Sequence, residues 1–188
     1  MRYYIFRNNT LEPLFGNLDA RYSGYGDISS LEEGADRYIW FYQVPFGFDR
    51  CRVAEEVLSY IDKLRWVIEK IPAHKSVLVF SLVDLCPFQW AGSEWEVQES
   101  IETYNKYLRS LASERSNVRY VDLFKTLSDH EEQLYYRRDS HWNMRGAQLA
   151  AQTLLKELKG SEAEFDSCIN GKTSPHTGDL YEMVYPAG

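Results

Sequence analysis

Short apolar runs alternate along this chain with longer stretches in which apolar residues recur every three or four positions. That is the pattern of strands alternating with helices. Arg2–Phe6 (RYYIF) predicts a strand at the start, and LEPLFGNL then opens a helix with Pro13 in its first turn and Gly16 weakening its continuation. ARYSGYGDISS predicts a short strand and a loop, and Asp36–Val44 (DRYIWFYQV) a strand bounded by Pro45 and Gly47. Its consecutive apolar residues suit a parallel sheet buried on both faces. Cys51–Ile71 is the clearest amphipathic helix, with Val53, Val57, Tyr60, Ile61, Leu64, Val67, Ile68 and Ile71 at helical spacing. Lys75–Val83 (KSVLVFSLV) is the next buried strand. A second long helix follows over SEWEVQESIETYNKYLRSLAS, where Ser93 and Glu96 are placed as a capping box. NVRYVDL gives another strand, FKTLSDHEEQL carries no assignment, and MRGAQLAAQTLLKEL is the last helix.

Connections of this length join parallel strands in the right-handed sense. The expected fold is a three-layer α/β/α domain over residues 1–160, with residues 161–188 as a polar tail packed on the same domain. A chain of 188 residues is long enough for one sizeable core and short for two.

Composition narrows the function classes. The net charge of −7 does not supply the basic surface that nucleic-acid binding needs, so no nucleic-acid partner is expected. No apolar run approaches a membrane span, and MRYYIFRNNT lacks the apolar core of a signal peptide, so the expectation is no membrane partner and a cytoplasmic location. Cys51, Cys86 and Cys168 are odd in number and widely spaced, which fits reduced thiols and neither a zinc ribbon nor a disulfide framework. Aromatic residues make up 15% of the chain. Trp40, Phe41 and Tyr42 read as core, and His74 as a solvated loop residue before a strand. His130, His141 and His176 show no ligand spacing, so no metal and no cofactor are expected.

The candidate chemistry lies in YYRRDSHWNMRGAQLAAQTLL. Asp139 and His141 stand two residues apart, just before the last helix. A carboxylate near an imidazole can hold it in one tautomer and support it when it takes a proton. In open α/β sheets such loops reach the ligand-binding edge. The plainer alternative is that Asp139 or Ser140 only caps the helix.

DSHWNMRGAQLAAQTLL resembles the last block of SGNH (GDSL-type) hydrolases, in which Asp and His precede a helix opened by Asn-x-x-Gly. The tight Asp-x-His-Trp form, with VRYVDL upstream and HTGDLYEM downstream, is similar to the alginate O-acetyltransferase branch. The first block, IFRNNTLEPLFGNL, resembles SGNH-like domains of FkbH-type proteins, and YSGYGD falls at the second block. The resemblance implies a flavodoxin-like, SGNH-type fold with a central parallel sheet of about five strands. It also implies acyl-ester chemistry on a carbohydrate or small molecule, with His141 as general base, Asp139 orienting it and Gly24 near the oxyanion hole.

The chain departs from the family pattern at the nucleophile. Arg7, Asn8 and Asn9 stand where Gly-Asp-Ser is expected, and an amide cannot act as a serine-type nucleophile. Thr10, one residue on, and Ser23, in a Gly-rich turn that could expose it, are the substitute hydroxyls. Ser81 lies in an apolar strand and is expected to be buried. Gln43, Val44 and Pro45 replace the Gly-x-Asn of the third block, so Gln43 and Asn9 become the candidate oxyanion donors. Asn8 and Trp142 complete the expected substrate-binding set. Asn8 and Asn9 are equally good turn residues, and Gly24 can serve loop geometry alone. Two functions follow: an esterase or O-acyltransferase, or an inactive SGNH-like binding module in polysaccharide or natural-product biosynthesis. Either admits a homo-oligomer or a biosynthetic partner protein.

Overall fold

The structure, a computed structural model, describes residues 1–7, 18–24, 28–29, 31–41, 53–81, 94–129, 132–134 and 143–159. Among them a parallel five-stranded sheet is built from β1 (Tyr3–Arg7), β2 (Ala20–Tyr22), β3 (Arg37–Phe41), β4 (Ser76–Phe80) and β5 (Val118–Val121), in the order β2-β1-β3-β4-β5. The helices are α1 (Val53–Lys70), α2 (Glu94–Glu114), α3 (Leu123–Ser128) and α4 (Met144–Lys159). This is the expected α/β class, and the expected strand number is met. The chain divides into two compact units, Met1–Val83 with Ser93–Leu123, and Asp84–Gly92 with Phe124–Gly188.

The central strands are buried from their second residue onward, as their unbroken apolar runs required: Tyr38, Ile39, Trp40 and Phe41 in β3, and Val77 to Phe80 in β4. Register aligns Phe6, Trp40 and Val79 across three strands, and Val79 with Tyr120 on β5. The crossovers β3–α1–β4 and β4–α2–β5 step in the same direction, so right-handed connections put both helices on one face. Accordingly α1 packs on α2, and α2 on β5. Trp40, on the same sheet face, donates its indole N–H to the Tyr104 hydroxyl of α2 at 2.9 Å inside the core. That bond is why two amphiphilic aromatics can be fully buried here.

Two expectations are adjusted. β1 runs from Tyr3 rather than Arg2, because the Arg2 backbone turns to Asp36: its N–H donates to the Asp36 carboxylate at 2.8 Å, and its C=O accepts from Asp36 N–H at 2.9 Å. The short helix α3 begins at Leu123, the last residue of NVRYVDL, and runs into FKTLSDHEEQL, unassigned from the sequence; its Leu123 and Leu127 are both buried. α1 spans Val53–Lys70 within the expected Cys51–Ile71, whose first two residues lie outside the described ones, and Pro72 follows its end. The helix over LEPLFGNL, the Ser93/Glu96 cap and the tail 161–188 lie outside the described residues. Among the described residues no helix is long and apolar enough to cross a membrane.

Candidate functional site

A parallel sheet brings all strand carboxyl ends to one edge, and the strand order locates the place on that edge where ligands bind. The chain steps from β1 outward to β2, then crosses back to β3 and on to β5, so connections diverge between β1 and β3. At this switch point Arg7, the last residue of β1, is the register partner of Phe41, the last of β3. Asn8, Asn9 and Thr10 follow the first in sequence, and Gln43 the second; these four lie outside the described residues.

Ser23 and Gly24 follow β2, one strand from β1. Ser23 is 1% exposed, because its N–H donates to Ile5 C=O at 3.0 Å and so continues the ladder one residue beyond β2. The Gly-rich context that suggested an exposed turn is thus overridden by strand pairing; Gly24, the next residue, is exposed. Ser81 ends β4 in the same manner, its N–H donating to Val121 C=O at 3.0 Å, and it is buried as expected. With strands about 4.8 Å apart, Ser23 and Ser81 are separated by three inter-strand steps. They belong to opposite sides of the switch point and cannot serve one reaction centre together.

Beside Ser81, burial pushes the Tyr120 phenol above its usual pKa, and the Asp122 carboxylate acts in the same direction. Hydrogen bonding to Ser81 and the Arg109 guanidinium oppose this. Arg109 donates to the Tyr120 hydroxyl at 3.4 Å and to Glu102 at 2.9 Å. The phenol oxygen thus accepts beside Ser81 near the carboxyl end of β5, a feature without a sequence signal.

The entry to α4 is the best-defined part of the Asp-x-His region. Asn143 Oδ1 accepts from Arg145 N–H and Gly146 N–H, both at 3.0 Å, so Asn143 is the helix cap. Asp139 and Ser140 therefore do not serve as the cap of α4. Asn143 also ties back along the chain: its side-chain amide donates to Gln133 C=O at 2.6 Å, and its N–H to Leu134 C=O at 2.7 Å. Arg145 would be unfavourable at a helix N-terminus, and Glu132 offsets it through a 2.7 Å ion pair. Leu134 is buried. The ends of segment 135–142 are thus held together by Leu134 and Asn143. That segment carries Asp139, His141 and Trp142, which themselves lie outside the described residues.

Trp40, Phe41 and His74 are where the sequence put them, the first two buried and His74 exposed in a turn; Tyr42 lies outside the described residues. Among the described residues no cluster of three or more His, Cys, Asp or Glu side chains could hold a metal ion.

The five-stranded parallel sheet with its crossover helices is an α/β fold of the SGNH type. The chain belongs to the family of SGNH hydrolase-like domains of the acetyltransferase AlgX, whose model matches residues 89–187, more than half of its length. The matched region contains Asp139, His141, Trp142 and the Asn143 cap, but not residues 8–10, 23–24 or 43. No curated protein matches the chain in sequence. Among solved structures, it is similar to the N-terminal part of a Bacteroides fragilis protein containing a phosphatase domain, complexed with Mg, at a TM-score of 0.64 and 10% identity; the match covers 84% of this chain and 51% of that one. This chain thus spans about half the length of that relative. The C-terminal catalytic domain of Streptococcus pneumoniae peptidoglycan O-acetyltransferase A, with a methylsulfonyl adduct, matches at a TM-score of 0.55 and 12% identity over 85% of this chain and 92% of that one. An acetyl xylan esterase from Geobacillus stearothermophilus gives 0.56 and 12%, over 84% and 94%. These likenesses show the fold.

Proposed function

We propose that this protein moves an acyl group, acetyl in the first place, to or from a hydroxyl of a carbohydrate. The observation that carries the reading is the family match spanning the Asp139-x-His141 block. The Asn143 latch supports it, since it relieves Asp139 of the capping role and closes the segment that bears the pair. The neighbours named as a peptidoglycan O-acetyltransferase and an acetyl xylan esterase support the substrate class.

In the proposed mechanism the neutral His141 imidazole accepts a proton from the attacking hydroxyl, and Asp139 accepts a hydrogen bond from the other ring nitrogen and stabilises the imidazolium. The attacker is a water or sugar hydroxyl acting directly, or Thr10 or Ser23 forming an acyl-enzyme first. The tetrahedral oxyanion is stabilised by N–H groups of Asn9, Gly24 and Gln43, with Asn8 and Trp142 contacting substrate. His141 then returns the proton to the leaving oxygen. The direct route accommodates both Asn9 in place of serine and the burial of Ser23. Those same two facts favour one alternative, a binding module of a biosynthetic pathway that no longer catalyses.

The test is to incubate the protein with an activated acetyl ester and a xylooligosaccharide and follow acetate and acetylated sugar by mass spectrometry. Product above background is expected, together with an acyl-protein adduct only if Thr10 or Ser23 attacks. Sugar binding without product would place the chain among the binding modules.

A further inference from the structure

We propose that Arg7 is a further catalytic residue of the acyl-transfer site, its guanidinium stabilising the oxyanion that forms at the switch point. The inference rests on the acyl-transfer reading above and adds a residue which that reading does not use.

Arg7 ends β1 and is the register partner of Phe41, the last residue of β3. It therefore stands on the carboxyl edge at the place where the connections diverge. Folding gives no reason for a charge there. Tyr3, Tyr4, Ile5 and Phe6 before it are buried, and strands covered on both faces are completed by apolar residues. β3, β4 and β5 end that way, in the buried Phe41, Phe80 and Val121, and β2 ends in Tyr22. Among the described strands only β1 ends in a charged residue. The other charge next to a described strand end is Asp122, after β5, which is three inter-strand steps or about 14 Å from β1. A chain of net charge −7 thus places a cation at its switch point.

The reaction gives the reason that folding lacks. When the attacking oxygen bonds to the acyl carbon, the carbonyl π pair moves onto the carbonyl oxygen. That pair returns as the bond to the leaving oxygen breaks and His141 gives the leaving oxygen its proton. The Asn of the third block, a usual donor to this transient charge, is replaced here, where Gln43, Val44 and Pro45 stand. At the position of Arg7 the family pattern has glycine, which brings no side chain. One donor is therefore lost and a stronger one gained on the strands that flank the crevice. A guanidinium stays protonated at every working pH and presents its N–H groups in a planar fork. Its bonds to an anionic oxygen are about twice as strong as those between neutral groups, so it favours the oxyanion over the neutral ester.

The experiment measures kcat and KM for a small neutral acetyl ester with the full chain and its Arg7→Gln, Arg7→Lys and Arg7→Gly variants, each shown by circular dichroism to be folded. In parallel each is titrated with methylphosphonate, a stable tetrahedral anion. Arg7→Gln is expected to lower kcat roughly 10²- to 10³-fold, the effect of one oxyanion donor, with KM nearly unchanged. Arg7→Lys keeps the charge without the fork and should fall between. Guanidinium ion at non-denaturing concentration should restore turnover to Arg7→Gly, which a merely structural role would not produce. Equal kcat in wild type and Arg7→Gln overturns the proposal and leaves Arg7 a solvated strand end. A rise in KM confined to anionic esters, with kcat kept, overturns it in favour of recognition of substrate charge. If no ester is turned over but the wild type binds methylphosphonate roughly tenfold more tightly than Arg7→Gln, the catalytic reading fails and the anion position at Arg7 stands. Absence of both turnover and methylphosphonate binding overturns both.

Discussion

Asp36 shows how much one exposed side chain can organise. The Arg2 N–H bonded to its carboxylate holds that carboxyl below the usual range, and Lys75, 3.9 Å away, acts in the same direction. A depressed carboxyl pKa contributes stability that is present above the unfolded value of about 3.9 and is lost as pH falls through the folded one. Asp36→Ala should therefore lower the thermal midpoint at neutral pH, with the difference from wild type shrinking in acid. A difference that stays constant across pH would show that the charge is not responsible. The buried Trp40–Tyr104 bond permits a sharper prediction. Tyr104→Phe leaves the indole N–H without that acceptor in the core and should cost about 1–3 kcal/mol in denaturant unfolding. Among the candidate hydroxyls, only burial separates Ser23 from what its glycine-rich neighbourhood suggested. The cause is the long-range bond to Ile5, which no local pattern encodes.

At the scale of elements, the Asn143 latch is where stability and the proposed function meet. It combines a helix cap with two bonds to residues 133 and 134. Asn143→Ala should destabilise the fold by about 1–2 kcal/mol and lower acyl-transfer activity roughly 10- to 100-fold, the scale on which misplacement of a catalytic group is felt. Asn143→Asp keeps the capping oxygen but loses the donor to Gln133. It should retain most of the stability and less of the activity, whereas equal losses in both would mean that the cap alone matters. Elements with many periodic apolar positions, such as α1 and β4, were legible in the sequence, α1 (Val53–Lys70) lying inside the expected Cys51–Ile71 and β4 (Ser76–Phe80) inside Lys75–Val83. The six-residue α3 was not, since two buried leucines four apart do not make a period. The capping role of Asn143 was legible only as part of the Asn-x-x-Gly pattern; local chemistry alone offered Asp139 and Ser140 equally.

For the whole molecule, strand number and parallel class follow from alternating runs and long crossovers, but strand order does not. It depends on which strand the chain returns to after β2, a matter of tertiary pairing. That order sets the switch point between β1 and β3, and with it the relevance of the residues after Arg7 and Phe41. The family resemblance, rather than spacing, carried the expected chemistry of the site. The matched region covers the Asp-x-His half of it and leaves the nucleophile half to experiment.

The most direct test of the account is kcat/KM for an activated acetyl ester, measured for the wild type and for a His141→Ala variant whose circular dichroism and melting curve match it. The account predicts a fall of roughly 10²- to 10⁴-fold in the variant, the contribution of a general base. Turnover by the variant at the wild-type rate would contradict it.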